Sequence, residues 1–400
     1  YLPGPVRPGR WTLLLGVPNL RKGVIAPYVA RIWFSRGAPR GFVSTFSERP
    51  LKAGLAWYRG DLHMHTAHSD GTCLAAGGTR APCPLYRTVQ AAAERGLDFI
   101  AITDHNTTSH FADMRELQPA FPALLLMPGR EITTFQGHAN VFGTTRFVDF
   151  RLGDRSLPTV TALLDAVRAA GGVLAVNHPA LPSFEDCMGC GWTAKGTDFS
   201  RVTAIEVANG GAEKAQGGAE EGPLSGVPYW QARLNEGFRI TAIGGSDNHD
   251  ADIPLDTASA IGRPTTVVEA NGLSEAAIIA GIAAGRVFID LDGPRPRTID
   301  LEAKLGERSA KMGGVLTARA GESVAFFILV HGVAAGSLEV VEDGRPIVGP
   351  SDATLGGGDI VRPFSLRTDG RRHWVRVNVR DPKGRLMLIG NPIYLRPLAR

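Results

Sequence analysis

The chain contains no uncharged apolar run of the roughly 18 residues that a membrane-crossing helix needs, so no transmembrane span is expected. It also lacks any Lys/Arg run long enough to grip nucleic acid or an anionic membrane. Its net charge is only +4, from 43 basic and 39 acidic residues. Nucleic acid and membranes are therefore set aside as partners. There are no internal repeats and no low-complexity tracts. Hydrophobic residues make up 44% and charged residues 20% of the 400 positions, which excludes wholesale disorder and allows two or three domains.

Cysteine is scarce: Cys73, Cys83, Cys187 and Cys190. An even count in loop contexts permits two bridges, Cys73–Cys83 and Cys187–Cys190. A four-cysteine zinc site is one rival, and free thiols in a cytosolic enzyme are the other. The chain opens on Tyr1 rather than Met. With bridged cysteines, this favours a secreted or periplasmic setting over a cytoplasmic one.

What is present falls into three stretches. Residues 1–56 are rich in Pro, Gly and Arg; their apolar runs at 11–15 and 28–34 read as strands that join the C-terminal region. Over 57–292, β-like runs at 58–65, 99–104, 124–133, 138–142, 173–177, 202–207 and 239–243 alternate with helical segments. Val160, Leu163, Leu164 and Val167 make one apolar helix face, 84–95 is Ala-rich and helical, and Ser274 reads as an N-cap. Repeated βα units imply a mostly parallel sheet, open or closed as a barrel. Residues 293–400 read as a β-sandwich-like domain; Val375, Val377 and Val379 alternate with Arg376, Asn378 and Arg380 as in a half-buried strand, and Asp343-Gly344 marks a turn.

Ten histidines are present and eight lie between 63 and 249. His63 and His65 end an apolar strand two residues apart, so both rings fall on one face, with Asp70 on the following loop. Asp104-His105 ends the next strand; strand neighbours face opposite ways, so His105 is the expected ligand and Asp104 a support or proton carrier. Glu131 can bridge two cations, and His138 opens the strand after it. Arg130 should point away from Glu131 toward an ion pair, and is a catalytic candidate if the strand has frayed there. His178 stops before Pro179, and Asp247 and His249 are again two apart. Acids and imidazoles at five strand ends point to one shared metal site, since parallel α/β folds build active sites there.

In this order these motifs resemble the PHP (polymerase and histidinol phosphatase) metallohydrolases: His63-x-His65 with Ser69-Asp70-Gly71, Thr103-Asp104-His105, Glu131 with Gly137-His138, Asn177-His178-Pro179, and Gly245-Ser246-Asp247-x-His249. The likeness spans about 57–290. It is closest to CehA/McbA-type hydrolases on Gly60–His65, Ala204-Ile205-Glu206-Val207, Gly237-Phe238-Arg239 and Ala284-Gly285-Arg286. The resemblance implies a distorted (β/α)7 barrel, with an accessory all-β domain here, and two or three divalent metals. His63, His65, Glu131 and Asp247 would hold the first metal, Glu131, His138 and His178 the second, and Asp70, His105 and His249 the third. His68, next to Asp70, is the alternative ligand for that last position.

Imidazole and carboxylate donors suit zinc first, then manganese or iron. Such a centre cleaves phosphate esters with a metal-bridging hydroxide, and polarises the carbonyl of a carbamate, amide or carboxyl ester equally well. His68 is the candidate leaving-group acid or substrate contact, with an exposed loop histidine as the plain alternative. Trp192, Lys195, Tyr229, Trp230 and Arg233 are candidates for the pocket mouth. The expected substrate is a small-molecule ester. A purely structural metal site in a binding module is the remaining alternative, weakened because four ligands suffice for one.

Overall fold

The computed structural model describes residues 49–185 and 187–398, together with 8–13, 15, 17, 20–30 and 32. The described residues between 8 and 32 form no strand, and Trp11, Leu13, Ile25 and Tyr28 are exposed. The 11–15 and 28–34 runs lie partly outside the described residues.

The site-bearing part begins with β1 (Leu55–Asp61), a small hairpin of β2 (Thr72–Leu74) and β3 (Arg80–Pro82), α1 (Leu85–Glu94) and β4 (Phe99–Ile102). Then come α2 (His110–Leu117), β5 (Leu125–Thr134), β6 (Gly137–Phe142), α3 (Val160–Ala169) and β7 (Val173–Val176). It ends with β8 (Ala204–Asn209), α4 (Gly210–Ala215), α5 (Val227–Asn235), β9 (Thr241–Gly245), β10 (Thr265–Asn271), α6 (Glu275–Ala283) and β11 (Val287–Asp290). Local chemistry explains the helices. Leu85, Val89 and Ala92 bury one face of α1, and Val160, Leu163, Leu164 and Val167 one face of α3. Thr159 caps α3 through the Ala162 amide and Ser274 caps α6 through the Ala277 amide.

The strands run in the order β11-β10-β1-β4-β5-β6-β7-β8-β9. The sheet is mixed rather than mostly parallel. β1, β4 and β5 are parallel, as are β7, β8 and β9, but β6 runs against both its neighbours and β10 against β1 and β11. The β5–β6 link is only Phe135 and Gln136, too short for a parallel crossover.

The expected (β/α)7 barrel does not close: no ladder joins β9 to β10 or β1. Side chains span the gap instead. Thr266 Oγ1 accepts from the Gly244 amide (2.8 Å) and donates to its carbonyl (2.6 Å). The Asn391 side chain accepts from Ala242 N (2.8 Å) and donates to the Ala242 and Val287 carbonyls (2.9 Å each). Backbone meets backbone only at the C-terminal rim, where Asp247 N reaches His63 O (2.8 Å) and His65 N reaches Asn248 O (2.9 Å).

Beyond β11 the sheet continues into Leu386–Gly390, His373–Arg380 and Ile393–Pro397. A second sheet of Arg308–Lys311, Thr298–Leu305, Ser323–His331 and Asp359–Arg367 faces it. Ile299, Leu301, Phe326, Ile328, Val375 and Val377 belong to the core between them. The strand 373–380 is buried on both faces, not half-buried: Arg376 and Asn378 are 3% exposed. The cause is contact with the site-bearing part, where the Arg376 guanidinium lies 5.5 Å over the Trp230 ring. Asp343-Gly344 forms the expected tight turn, both residues having positive φ (49° and 87°).

Candidate metal centre

The residues after β1 alternate as a strand would. Met64 is fully buried in the apolar cluster under α1, while His63 and His65 turn to the other side. Asp61 fixes this exit: its buried carboxylate accepts from His63 N (3.2 Å), Ser246 N (3.0 Å) and Gly262 N (2.7 Å). Two candidate ligands sit on strained backbone, His178 at φ 25° and Asp247 at φ 53°, as does Asn106 at 54° beside His105. Positive φ is costly for residues with a Cβ and clusters where side chains must be aimed.

The nine candidate ligands come together in three adjoining groups. In the first, His63 Nε2 lies 3.4 Å from Glu131 Oε1 and 3.3 Å from Asp247 Oδ1, while His65 Nε2 lies 3.6 Å from Glu131 Oε2 and 3.3 Å from Asp247 Oδ1. In the second, Glu131 Oε1 lies 3.4 Å from His138 Nδ1 and 3.5 Å from His178 Nε2. In the third, Asp70 lies 3.6 Å from His105 Nε2 and 3.4 Å from His249 Nε2. Such spacings are long for hydrogen bonds. They match the edges, about 3.3–3.6 Å, of a tetrahedron of ligands about 2.0–2.2 Å from a cation.

Proton placement makes the same point. His63 Nδ1 lies 3.0 Å from Glu206 Oε1, His138 Nε2 3.0 Å from the Met188 carbonyl, and His249 Nδ1 3.0 Å from the Asp247 carbonyl. Those oxygens only accept, so each ring donates there and turns its other nitrogen, a lone pair in the neutral ring, toward carboxylate oxygens. Lone pair against lone pair is tolerable only with a proton or a cation between them. Among the described residues, neither nitrogen of the buried His65 ring, nor His63 Nε2, makes a hydrogen bond. The donor set therefore fits divalent metals.

The electrostatics agree. Burial works against ionisation of Glu131 and Asp247, yet His63 and the other imidazoles hold both carboxyls well below their usual range. Burial, with His249 and His105 nearby, pushes His65 down to about 4, so its ring is neutral. Burial also opposes charge on His249, but Asp70 and Asp247 raise it to about 9. Without metal, protons on such rings satisfy the carboxylates; protons and metal compete for the same lone pairs.

Glu206 was not among the expected site residues. It is 1% exposed, and its carboxylate accepts from His63 Nδ1, His178 N (2.9 Å) and Asn209 Nδ2 (2.8 Å). One carboxylate thus orients two candidate ligands. Asn177 holds Glu131 Oε1 (2.8 Å), and Asn209 Nδ2 lies 3.3 Å from Asp247 Oδ2. Gly245 lets Glu206 approach, since a Cβ there would fall 2.4 Å from Glu206 Oε1 and 2.5 Å from His63 Cβ. The available signal was an acid inside the apolar strand β8, a buried charge that needs partners.

Other candidates lie elsewhere. Asp104 accepts from Thr66 N and Oγ1 (2.7 Å each) and from Ser69 Oγ (2.6 Å), so both oxygens are spent holding the loop that carries Asp70. His68 is tied to Ser109 (2.7 Å) and Asp113 (3.0 Å) at the start of α2. Arg130 points away from Glu131, as strand alternation requires, and meets the Val148 carbonyl (2.8 Å) and the Phe147 ring, with no ion-pair partner among the described residues. Of the mouth candidates, Trp230 is fully buried and donates to Ile240 O (2.8 Å), and Arg233 stacks on Phe199 and Tyr229. Trp192 is buried and Lys195 exposed. The cysteines pair as Cys73–Cys83 and Cys187–Cys190. No four-cysteine group occurs among the described residues.

No family model and no curated protein matches the chain. Among solved structures it is similar to a two-domain protein containing a predicted PHP-like metal-dependent phosphoesterase from Bacteroides vulgatus ATCC 8482: 18% identity, TM-score 0.45, covering 89% of this chain and 100% of that one. It is also similar to a protein from Bifidobacterium adolescentis ATCC 15703 whose name proposes a metal-dependent phosphoesterase: 15% identity, TM-score 0.36, covering 59% of this chain and 96% of that one.

Proposed function

We propose that the chain is a metal-dependent hydrolase of PHP type, a phosphoesterase acting on a small-molecule ester, with residues 57–292 as its catalytic unit and 293–400 as an accessory β-sandwich. The observation that carries this reading is the set of imidazole lone pairs turned on Glu131, Asp247 and Asp70 at tetrahedral-edge spacing. Divalent cations held there, zinc foremost, would supply Lewis acidity and lower the pKa of a bound water toward neutrality.

The chain's own residues set direction and order. His63 and His65 are fully buried, whereas the side chains of His105, His249 and Asp70 are 26%, 39% and 56% exposed. The Asp70 group thus faces solvent, and substrate enters over it. Glu131 ties the first two groups together, Glu206 fixes the His63 ring and the His178 backbone behind them, and Asp104 holds the Asp70 loop.

A second reading is a carbamate, amide or carboxyl ester hydrolase of CehA/McbA type. The orientation of Arg130 favours it, because that guanidinium is turned away from the site and cannot neutralise a phosphate. The test is one panel of aryl phosphate mono-, di- and triesters beside aryl carbamates and carboxyl esters, assayed with zinc, manganese and iron. Turnover of phosphate esters supports the first reading, and turnover confined to carbonyl substrates the second. Bound metal with no turnover on either class overturns both.

A further inference from the structure

Cys187 and Cys190 lie on the loop after β7, outside the nine residues of the reading above. The loop is pressed against the metal centre. Gly189 (φ 85°) packs so close to β5 that a Cβ would fall 2.0 Å from the Thr134 carbonyl. The Met188 carbonyl, between the two cysteines, takes the Nε2 proton of His138. This leaves His138 Nδ1 as the lone-pair nitrogen, and two atoms face it: Glu131 Oε1 at 3.4 Å and Cys190 Sγ at 3.8 Å. In tetrahedral zinc, a nitrogen about 2.1 Å and a sulfur about 2.3 Å from the ion stand about 3.6 Å apart. Ligand atoms of His138, His178, Cys187 and Cys190 all lie within 4.8 Å of one another. Cys190 is 3% exposed.

We propose that Cys190 is a redox-controlled fourth ligand of the second metal position: reduced, it gives up its proton and its thiolate joins His138, His178 and Glu131 on the cation, and in the Cys187–Cys190 disulfide the same sulfur stays beside His138 but carries no charge to donate. The inference rests on the metal-centre reading and adds regulation to it. The switch balances as thiol–disulfide exchange. The two cysteine thiols form one S–S bond, releasing two protons and two electrons to an external disulfide, which becomes two thiols; an external dithiol reverses it. Oxidation leaves His138, His178 and Glu131 in place, so the second cation is weakened while the first keeps all four of its ligands.

The test is titration of the metal-free full chain with Co2+, read by absorption, since a thiolate on cobalt gives a charge-transfer band that imidazole and carboxylate ligands do not. With a dithiol present the wild type shows the band, and Cys190→Ser binds Co2+ without it. Treatment with an excess of a small-molecule disulfide abolishes the band in the wild type. Cobalt bound to the reduced wild type with no thiolate band overturns the inference and leaves the metal centre standing. A thiolate band that survives in Cys190→Ser overturns the assignment to Cys190. No cobalt bound in any form overturns the metal centre itself, and this inference with it.

Discussion

Replacing Glu206 by Gln isolates the support behind the metal centre from the ligands themselves. Three donors converge on its two carboxylate oxygens: His63 Nδ1, His178 N and Asn209 Nδ2. Glutamine keeps one acceptor oxygen and turns an NH2 on the rest, so at least one donor is left facing another donor. Hydrogen bonds to a charged partner contribute about 1.5–3 kcal/mol. If that loss falls on the orientation of the His63 ring and of the backbone that carries His178, metal affinity drops roughly 10- to 100-fold. The fold should survive, because the side-chain volume is unchanged and the apolar neighbours of β8 are untouched. The assay is Zn2+ titration against a chelator of known affinity at fixed pH, with circular dichroism as the fold control. A folded variant that binds zinc within twofold of the wild type would refute the role given to Glu206.

Three further outcomes follow from the same geometry. His63→Ala or Asp247→Ala should abolish turnover on whichever ester the panel identifies while thermal unfolding stays cooperative; wild-type turnover in either would remove the first metal group from the account. The double variant Cys73→Ser/Cys83→Ser should lose about 2–3 kcal/mol of stability by calorimetry. It should also weaken the Asp70 group first, because Cys83 N bonds Gly71 O (2.9 Å) and Thr72 N bonds His249 O (2.8 Å); intact mass showing free thiols in the native protein would cancel this. Glu213, pushed up to about 7 by burial against the opposing effect of Arg263, favours the folded state below pH 4.5, and that contribution is lost as pH rises through 7. Glu213→Gln should flatten the stability profile across that window by at most about 3 kcal/mol, and an unchanged slope would contradict the burial argument.

The strand ends were legible because period two and metal chemistry act over a few residues. His63 and His65, Asp247 and His249, and the acid-then-histidine order each declare themselves locally. The seven site-bearing strands anticipated over 58–243 all appear, with ends shifted by a few residues. β10 and β11 were missed, since Thr265–Asn271 and Val287–Asp290 carry no candidate ligand. The open seam was not legible: it is spanned by Thr266, on the β10 edge itself, and by Asn391, far along the chain from the strands it bridges. The burial of Arg376 and Asn378 depends on a helix packing across the strand, which alternation along one segment cannot report. Asp104 follows strand alternation: neighbouring His105 faces Asp70 and Glu131 while Asp104 faces the loop it holds, which fits the support alternative rather than the proton carrier.

The most direct measurement is a crystal of the protein grown with zinc, with diffraction recorded on both sides of the zinc absorption edge. The account predicts one anomalous peak among His63, His65 and Asp247 and a second beside His138 and His178, with Glu131 between them. A third, more weakly held, would lie at Asp70, His105 and His249. A map with no peak inside that cup, or with peaks only on surface side chains, would contradict it.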